Sequence, residues 1–215
     1  MIRSIGSFVL DGMTARPCRV EVSIATGQLM GTTVVGLPDA AVRESIERVR
    51  SAVRNSGYRW PEGWITINLA PARVRKEGPV YDLPIAVAVL AAGGIIETPT
   101  RIDLDQVVMA GELALDGSLR SIHGVTSLAL LARRGSAIAV VPTEDATPAG
   151  VVPGASVLVA QSLSEVVGWL HGEDDLRPAD PLPGPEIRDG DDFADAVRPK
   201  LPAAAVAAVA AEYAL

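Results

Sequence analysis

One cysteine, Cys18, stands in 215 residues. It has no partner for an internal disulfide, and no Cys/His cluster is spaced to hold zinc. Aromatic residues make up only 4% of the chain, so a core must be built from Val, Ala, Leu and Ile. Positive charge is in deficit, with a formal net charge of −7 and an isoelectric point of about 4.9. That balance excludes nucleic-acid binding through overall charge and leaves only local patches for it. No apolar run reaches membrane-spanning length without a charge or a Gly/Pro break. The opening MIRSIGSFVLDGM lacks the apolar core and cleavage site of a signal peptide. The expectation is a reduced, cytoplasmic protein with no membrane partner. No stretch matches G-x-x-x-x-G-K-[ST], so no ATP hydrolysis by this chain alone is expected.

What is present is apolar pattern, at 48% of the composition. Residues 19–25 alternate apolar and polar, as a half-buried strand does, and the β-branched run 31–38 reads as a second, more buried strand. Asp39 reads as the N-cap of a helix carrying Val42, Ile46, Val49 and Val53 at helical spacing, with Gly57 as its stop. Residues 64–70 alternate again. A basic loop follows, and Asp82 is expected to cap an all-apolar helix with Pro84 in its first turn. Residues 107–122 read as a hairpin turning at Asp116-Gly117. Residues 125–135 read as a helix, residues 137–142 and 156–160 as strands, and residues 162–172 as a helix opened by a Ser162/Glu165 capping box. The expected domain is therefore residues 1–172, of α/β or α+β two-layer type. Residues 173–192, rich in Asp, Pro and Gly, read as a linker, and residues 193–215 as an Ala-rich tail.

Candidate chemistry is thin. The loop RKEGPVYDLP has one glycine, and its lysine precedes that glycine, so it is not a phosphate loop. No Ser, Thr or Cys lies between Gly78 and Pro84 to serve as a nucleophile. His123 and His171 lack flanking carboxylate motifs and read as a turn residue and a helix C-terminal residue. Asp82 reads as a cap, and Glu112, after Gly111, as a cross-strand partner, ahead of any acid–base role. No metal site is expected. Arg73, Arg75 and Lys76 fall within one loop, and Arg43, Arg50 and Arg54 share a helix face. These could meet nucleic-acid phosphates, or form a solvated face balanced by Glu44, Glu47 and Glu77. The aromatics do not interleave with the arginines in sequence as a stacking platform requires.

The segments TTVVGLPDAAVRESIERVRSAVRNSGY, ITINLAPARVRKEGPVYDLPIAVAVLAA and GELALDGSLRSIHGV resemble the N-terminal domain of ComM-type (YifB-type) magnesium-chelatase-like ATPases. The resemblance is ordered and covers most of residues 1–172. It implies a fold similar to the proteolytic domain of Lon proteases, within the group typified by a small-subunit ribosomal protein. On that likeness Lon's proline–serine–alanine–glycine segment falls on Pro79, Val80, Tyr81 and Asp82. Val80 thus takes the serine position, and Thr126 the lysine position after His123-Gly124. Neither half of the dyad is expected, and no catalytic residue is assigned.

The resemblance also implies a setting: an accessory or assembly domain of an AAA+ motor associated with DNA branch migration in natural transformation. The partners implied are single-stranded or branched DNA, the ATPase module and further copies of the chain, with ATP and magnesium belonging to that module. Arg73, Arg75, Lys76, Arg50 and Arg54 are the candidate DNA contacts. Asp82, Pro84, Gly111 and Glu112 belong to the family's structural motifs. The Ala-rich end stands where the family's ATPase module begins, so a truncated, frameshifted or stand-alone member is expected. An oligomerisation domain that binds no nucleic acid and, last, a diverged hydrolase are the alternatives.

Overall fold

Alternating apolar residues build one large sheet, and helices cover it. The computed structural model describes residues 2–27, 29–97 and 102–179. In chain order the elements are β1 (Ile2–Asp11), β2 (Thr14–Ala25), β3 (Gly31–Val35), α1 (Ala40–Asn55), β4 (Trp64–Ala70) and α2 (Asp82–Ala92). Then come β5 (Val107–Met109), β6 (Glu112–Leu113), β7 (Leu119–Arg120), α3 (Val125–Gly135) and β8 (Ile138–Pro142). The last are α4 (Ala146–Gly150), β9 (Ser156–Ala160), α5 (Leu163–His171) and β10 (Arg177–Pro178).

Eight strands run in the order β10-β9-β8-β5-β1-β2-β4-β3. The sheet is mixed: β1–β2, β2–β4 and β9–β10 pair antiparallel, while β3–β4, β1–β5, β5–β8 and β8–β9 pair parallel. Register puts Val20 beside Leu69 and Val22 beside Ile67, so one face of this half is a buried aliphatic patch. Helix α1 lays Val42, Ile46, Val49 and Val53 on that side of the sheet. The all-apolar α2 is buried from Asp82 through Ala91 because elements surround it, as its lack of a polar face demands. Helix α5 joins the same cluster through Leu163, Val166, Val167 and Leu170.

The α/β class stands, with a layer that the two-layer expectation leaves out. In β8 and β9, Ala139, Val141, Val157 and Val159 belong to a second core with Val125, Leu128 and Ala129 of α3, whereas Val140 and Ala160 belong to the first. Strands buried on both faces read as continuous apolar runs, which is how these two read.

Four other expectations change. The segment around Val107 is not one arm of the hairpin: β5 lies between β1 and β8 in the main sheet, and only β6 and β7 form the ribbon turning at Asp116-Gly117. Strand β3 is an edge strand, half-exposed rather than buried, because no described strand pairs with its outer side. Strand β1 and the first part of β2 form a long hairpin that the sequence reading leaves unassigned. The folded unit also runs past residue 172. Leu176 is buried, β10 pairs with β9, and the Ala179 N–H donates to the Val157 carbonyl at 2.9 Å. The rest of the expected linker and all of the expected tail lie outside the described residues.

Gly36 is the tightest crossing between β3 and β4. Its φ is +98°, and a Cβ there would stand 2.2 Å from the Leu69 carbonyl oxygen. Gly36→Ala is expected to lower stability by about 1–3 kcal/mol through positive-φ strain and this clash. A fall in the urea midpoint with unchanged m-value is the signature.

Candidate functional site

The loop between β4 and α2 is shaped by a buried cation. Lys76 is fully buried, and its ammonium donates to the Gly36 carbonyl at 3.1 Å and to the Pro71 carbonyl. Its backbone continues the clamp: the Lys76 N–H donates to Leu37 O at 3.1 Å, and the Asp39 N–H donates to Lys76 O at 3.0 Å. Leu37 has a φ of +58°, so this clamp holds an unfavourable backbone conformation in place. Lys76 therefore cannot serve as a surface phosphate contact, which corrects the sequence expectation. Burial lowers its pKa. Cys18 is also buried, and burial pushes its thiol up to about 11, as suits an inert core thiol.

Asp39 fulfils its expected role. Oδ1 accepts from the Val42 N–H at 2.8 Å and caps α1, while Oδ2 accepts from the Gly78 N–H at 3.3 Å. Asp82 does something other than capping: no side chain caps α2, and the carboxylate turns inward. It accepts from Arg48 Nε at 2.7 Å and Nη2 at 3.1 Å, and from the Leu113 N–H at 3.1 Å. One buried carboxylate thus ties α1, α2 and the β6–β7 ribbon together. Burial pushes Asp82 up to about 6, against the opposing pull of Arg48.

The other motif residues support the same junction. Pro84 is buried in the first turn of α2. The Gly111 N–H donates to Val80 O and its carbonyl accepts from the Leu83 N–H, each at 3.1 Å. A Cβ on Gly111 would meet Leu119 Cδ2 at 2.9 Å. Glu112 stands opposite Arg120 across the ribbon at 3.8 Å, the cross-strand pairing expected of it.

The positions likened to a Ser-Lys dyad carry no such pair. Val80 packs among apolar residues, and the Thr126 hydroxyl donates to Pro148 O at 3.0 Å. His123 is exposed, and His171 ends α5 with Nδ1 at 3.6 Å from Glu173. Among the described residues, no group of three or more His, Cys, Asp or Glu side chains is placed to hold a metal. Nor, among them, is any helix long and apolar enough to cross a membrane.

The basic candidates divide between the two ends of α1. Arg73 and Arg75 are exposed in the loop fastened to the helix N-terminus, and Arg75 pairs with Glu77 at 3.2 Å. Arg50 and Arg54 lie near the other end, with α1 spanning roughly 24 Å at 1.5 Å per residue. There they line a cleft of about 700 Å³ together with Met30, Gly31, Thr32, Arg59, Trp60 and Glu62. The Arg50 guanidinium sits over the Trp60 ring, 5.3 Å from its centroid. Its Nη2 donates to Thr32 Oγ1 at 3.3 Å, and its Nη1 lies 3.2 Å from Glu47. An aromatic does therefore stand with the arginines, which corrects the sequence expectation. Arg59 and Trp60 went unread because they follow the helix stop at Gly57. The RW pair beside a basic helix face was the available signal.

Comparison with known proteins places these motifs. The family described as subunit ChlI of Mg-chelatase matches residues 20–145. The chain is 44% identical to YifB of Salmonella typhimurium over 184 residues, covering 83% of this chain and 36% of that protein. It is 44% identical to YifB of Escherichia coli, covering 79% and 33%. It is 38% identical to the competence protein ComM of Haemophilus influenzae, covering 77% and 32%. The chain thus spans about a third of the length of these relatives.

Because the folded-state pKa of Asp82 is raised, its contribution to stability is complete below about pH 4 and is lost as pH rises through about 6. The expected loss over that window is on the order of 2–3 kcal/mol. Urea unfolding at pH 4, 5.5 and 7 checks this, with Asp82→Asn expected to lack that part of the slope. Parallel pH profiles for parent and variant would remove Asp82 as its source.

Proposed function

The chain belongs to the family of the ChlI subunit of Mg-chelatase, and on that premise we propose that it is a non-catalytic accessory domain of a ComM-type, Mg-chelatase-like AAA+ motor acting on DNA. One observation carries the non-catalytic part: the polar side chains around the central loop are committed to the fold. Lys76 is bonded to carbonyls, Asp39 to two N–H groups, and Asp82 to Arg48 and Leu113. General acid–base or nucleophilic work needs a group free to reach a substrate, and these three are held by the fold. The Lon-like arrangement then supplies shape and assembly contacts, while ATP and magnesium belong to a motor module.

The DNA part of the reading is supported by the relationship to ComM, a competence protein by name, and by exposed arginines at both ends of α1. The partners are single-stranded or branched DNA, the motor module and further copies of the chain, in a cytoplasmic setting. A second reading, assembly without DNA contact, is favoured by the net charge of −7 and by the Arg75–Glu77 pair, which neutralises one loop arginine.

Two measurements on the purified chain test the proposal. Fluorescent single-stranded and forked DNA should bind at about 50 mM salt and weaken steeply by about 200 mM, the signature of phosphate contacts. A serine-hydrolase activity probe should leave the chain unlabelled. Covalent labelling would overturn the non-catalytic assignment. Absence of any DNA binding at low salt would leave assembly as the domain's only role.

A further inference from the structure

The cleft at the C-terminal end of α1 gathers three arginines and an indole. Arg54 and Arg59 are exposed there and form no side-chain hydrogen bond or ion pair with any described residue. Arg50 is held in place by Trp60, Thr32 and Glu47, yet its Nε is buried without a hydrogen-bond partner. Of the chain's three tryptophans, one stands here. Trp60 lines the cleft. Trp64, 41% exposed, lies over Gly31, where a Cβ would come within 2.7 Å of its ring. Trp64 alternates with Ile65, which faces the α1 side, so that indole lies on the opposite face of the sheet from the cleft.

Guanidinium groups match the paired oxygens of a phosphate, and indole faces match the flat surface of a base. The acidic neighbours limit the charge the cleft can take. Glu47 pairs with Arg50 and Glu62 stands on the wall, so three arginines against two glutamates leave one positive charge. A phosphodiester brings one negative charge. The volume of about 700 Å³ falls within the range of small-molecule sites.

We propose that this cleft binds a nucleotide unit, with the phosphate on Arg54 and Arg59 and the base against the tryptophan side of the cleft. The unit is either a free nucleotide or one step of a single strand. The strand form rests on the DNA reading above, and the free form does not.

Tryptophan fluorescence reads the cleft through Trp60 in a Trp64→Phe background, since Trp169 is buried in the core. The full chain is titrated with oligothymidylate, thymidine monophosphate, inorganic phosphate and polyglutamate. The same titrations follow for Arg54→Gln/Arg59→Gln and, as comparator, Arg73→Gln/Arg75→Gln. All four positions are exposed, and thermal melts confirm that both variants fold.

Quenching by oligothymidylate is expected, at least about tenfold weaker in the cleft variant and with a salt slope reduced by about two, while the loop variant weakens less for the oligomer and matches the parent for thymidine monophosphate. Saturation by thymidine monophosphate but not by the oligomer supports the cleft with a free nucleotide as ligand, and overturns the DNA reading alone. Binding lost in the loop variant and kept in the cleft variant overturns the cleft and leaves the DNA reading standing. Equal saturation by inorganic phosphate, or by polyglutamate, overturns the nucleotide assignment. Binding of no probe overturns both.

Discussion

The contact between Asp82 and Arg48 is the constraint on which this domain turns. A carboxylate with no solvent exposure is stable only if its oxygens are satisfied, and here the partners come from two other places in the chain. Arg48 belongs to α1, Asp82 begins α2, and Leu113 lies in the ribbon after β5. Removing one member of a buried pair costs about 3–5 kcal/mol, because the other is left uncompensated. The pair therefore specifies geometry more than it adds net stability. The α1–α2 packing and the position of the ribbon are fixed by one group, and α2 has no other polar handle in its interior.

Lys76 is the second buried charge, and it works differently. Its partners are neutral carbonyls at Gly36 and Pro71, so it organises backbone rather than balancing a charge. Together the two groups fasten the V-G-L-P-D, K-E-G, Y-D-L-P and G-E-L segments into one junction. That accounts for three of the polar residues in and around this loop, Asp39, Lys76 and Asp82. Those three hold the shape, while Arg73, Arg75 and Glu77 stay exposed and Val80 packs among apolar residues.

Much of this architecture was legible in the sequence. The Asp39 cap, the alternation in β4, the uniformly apolar α2, and the segments α3, β9 and α5 follow from local rules of period and capping. What was not legible depended on distant partners. Nothing local tells a surface lysine from one buried at position 76, because the Gly36 carbonyl that receives it lies forty residues earlier. Asp82 is a sound cap by spacing, but the turn before it already starts the helix, and Arg48 draws the carboxylate inward. Strand β3 looks buried by its β-branched content, which reports strand propensity, whereas its edge position comes from sheet order alone. Trp60 and Arg50 are ten residues apart, across a helix end, so only the fold sets one over the other.

The placement of the free arginines follows from the same economy. At the N-terminal end of α1 the positive helix end is answered by Asp39, and the neighbouring loop uses Lys76 internally and pairs Arg75 with Glu77. Arg43 and Arg73 stay exposed there. At the C-terminal end the helix dipole is negative, which favours Arg54 in the last turn but does not saturate its guanidinium. Arg59 follows on the chain as it leaves the helix, and no described carboxylate pairs with either arginine. A chain with a net charge of −7 can in this way keep a small cationic cleft. Its acidic majority repels polyanions over most of the surface, so an anion that does bind is directed to the few places where arginines remain unanswered.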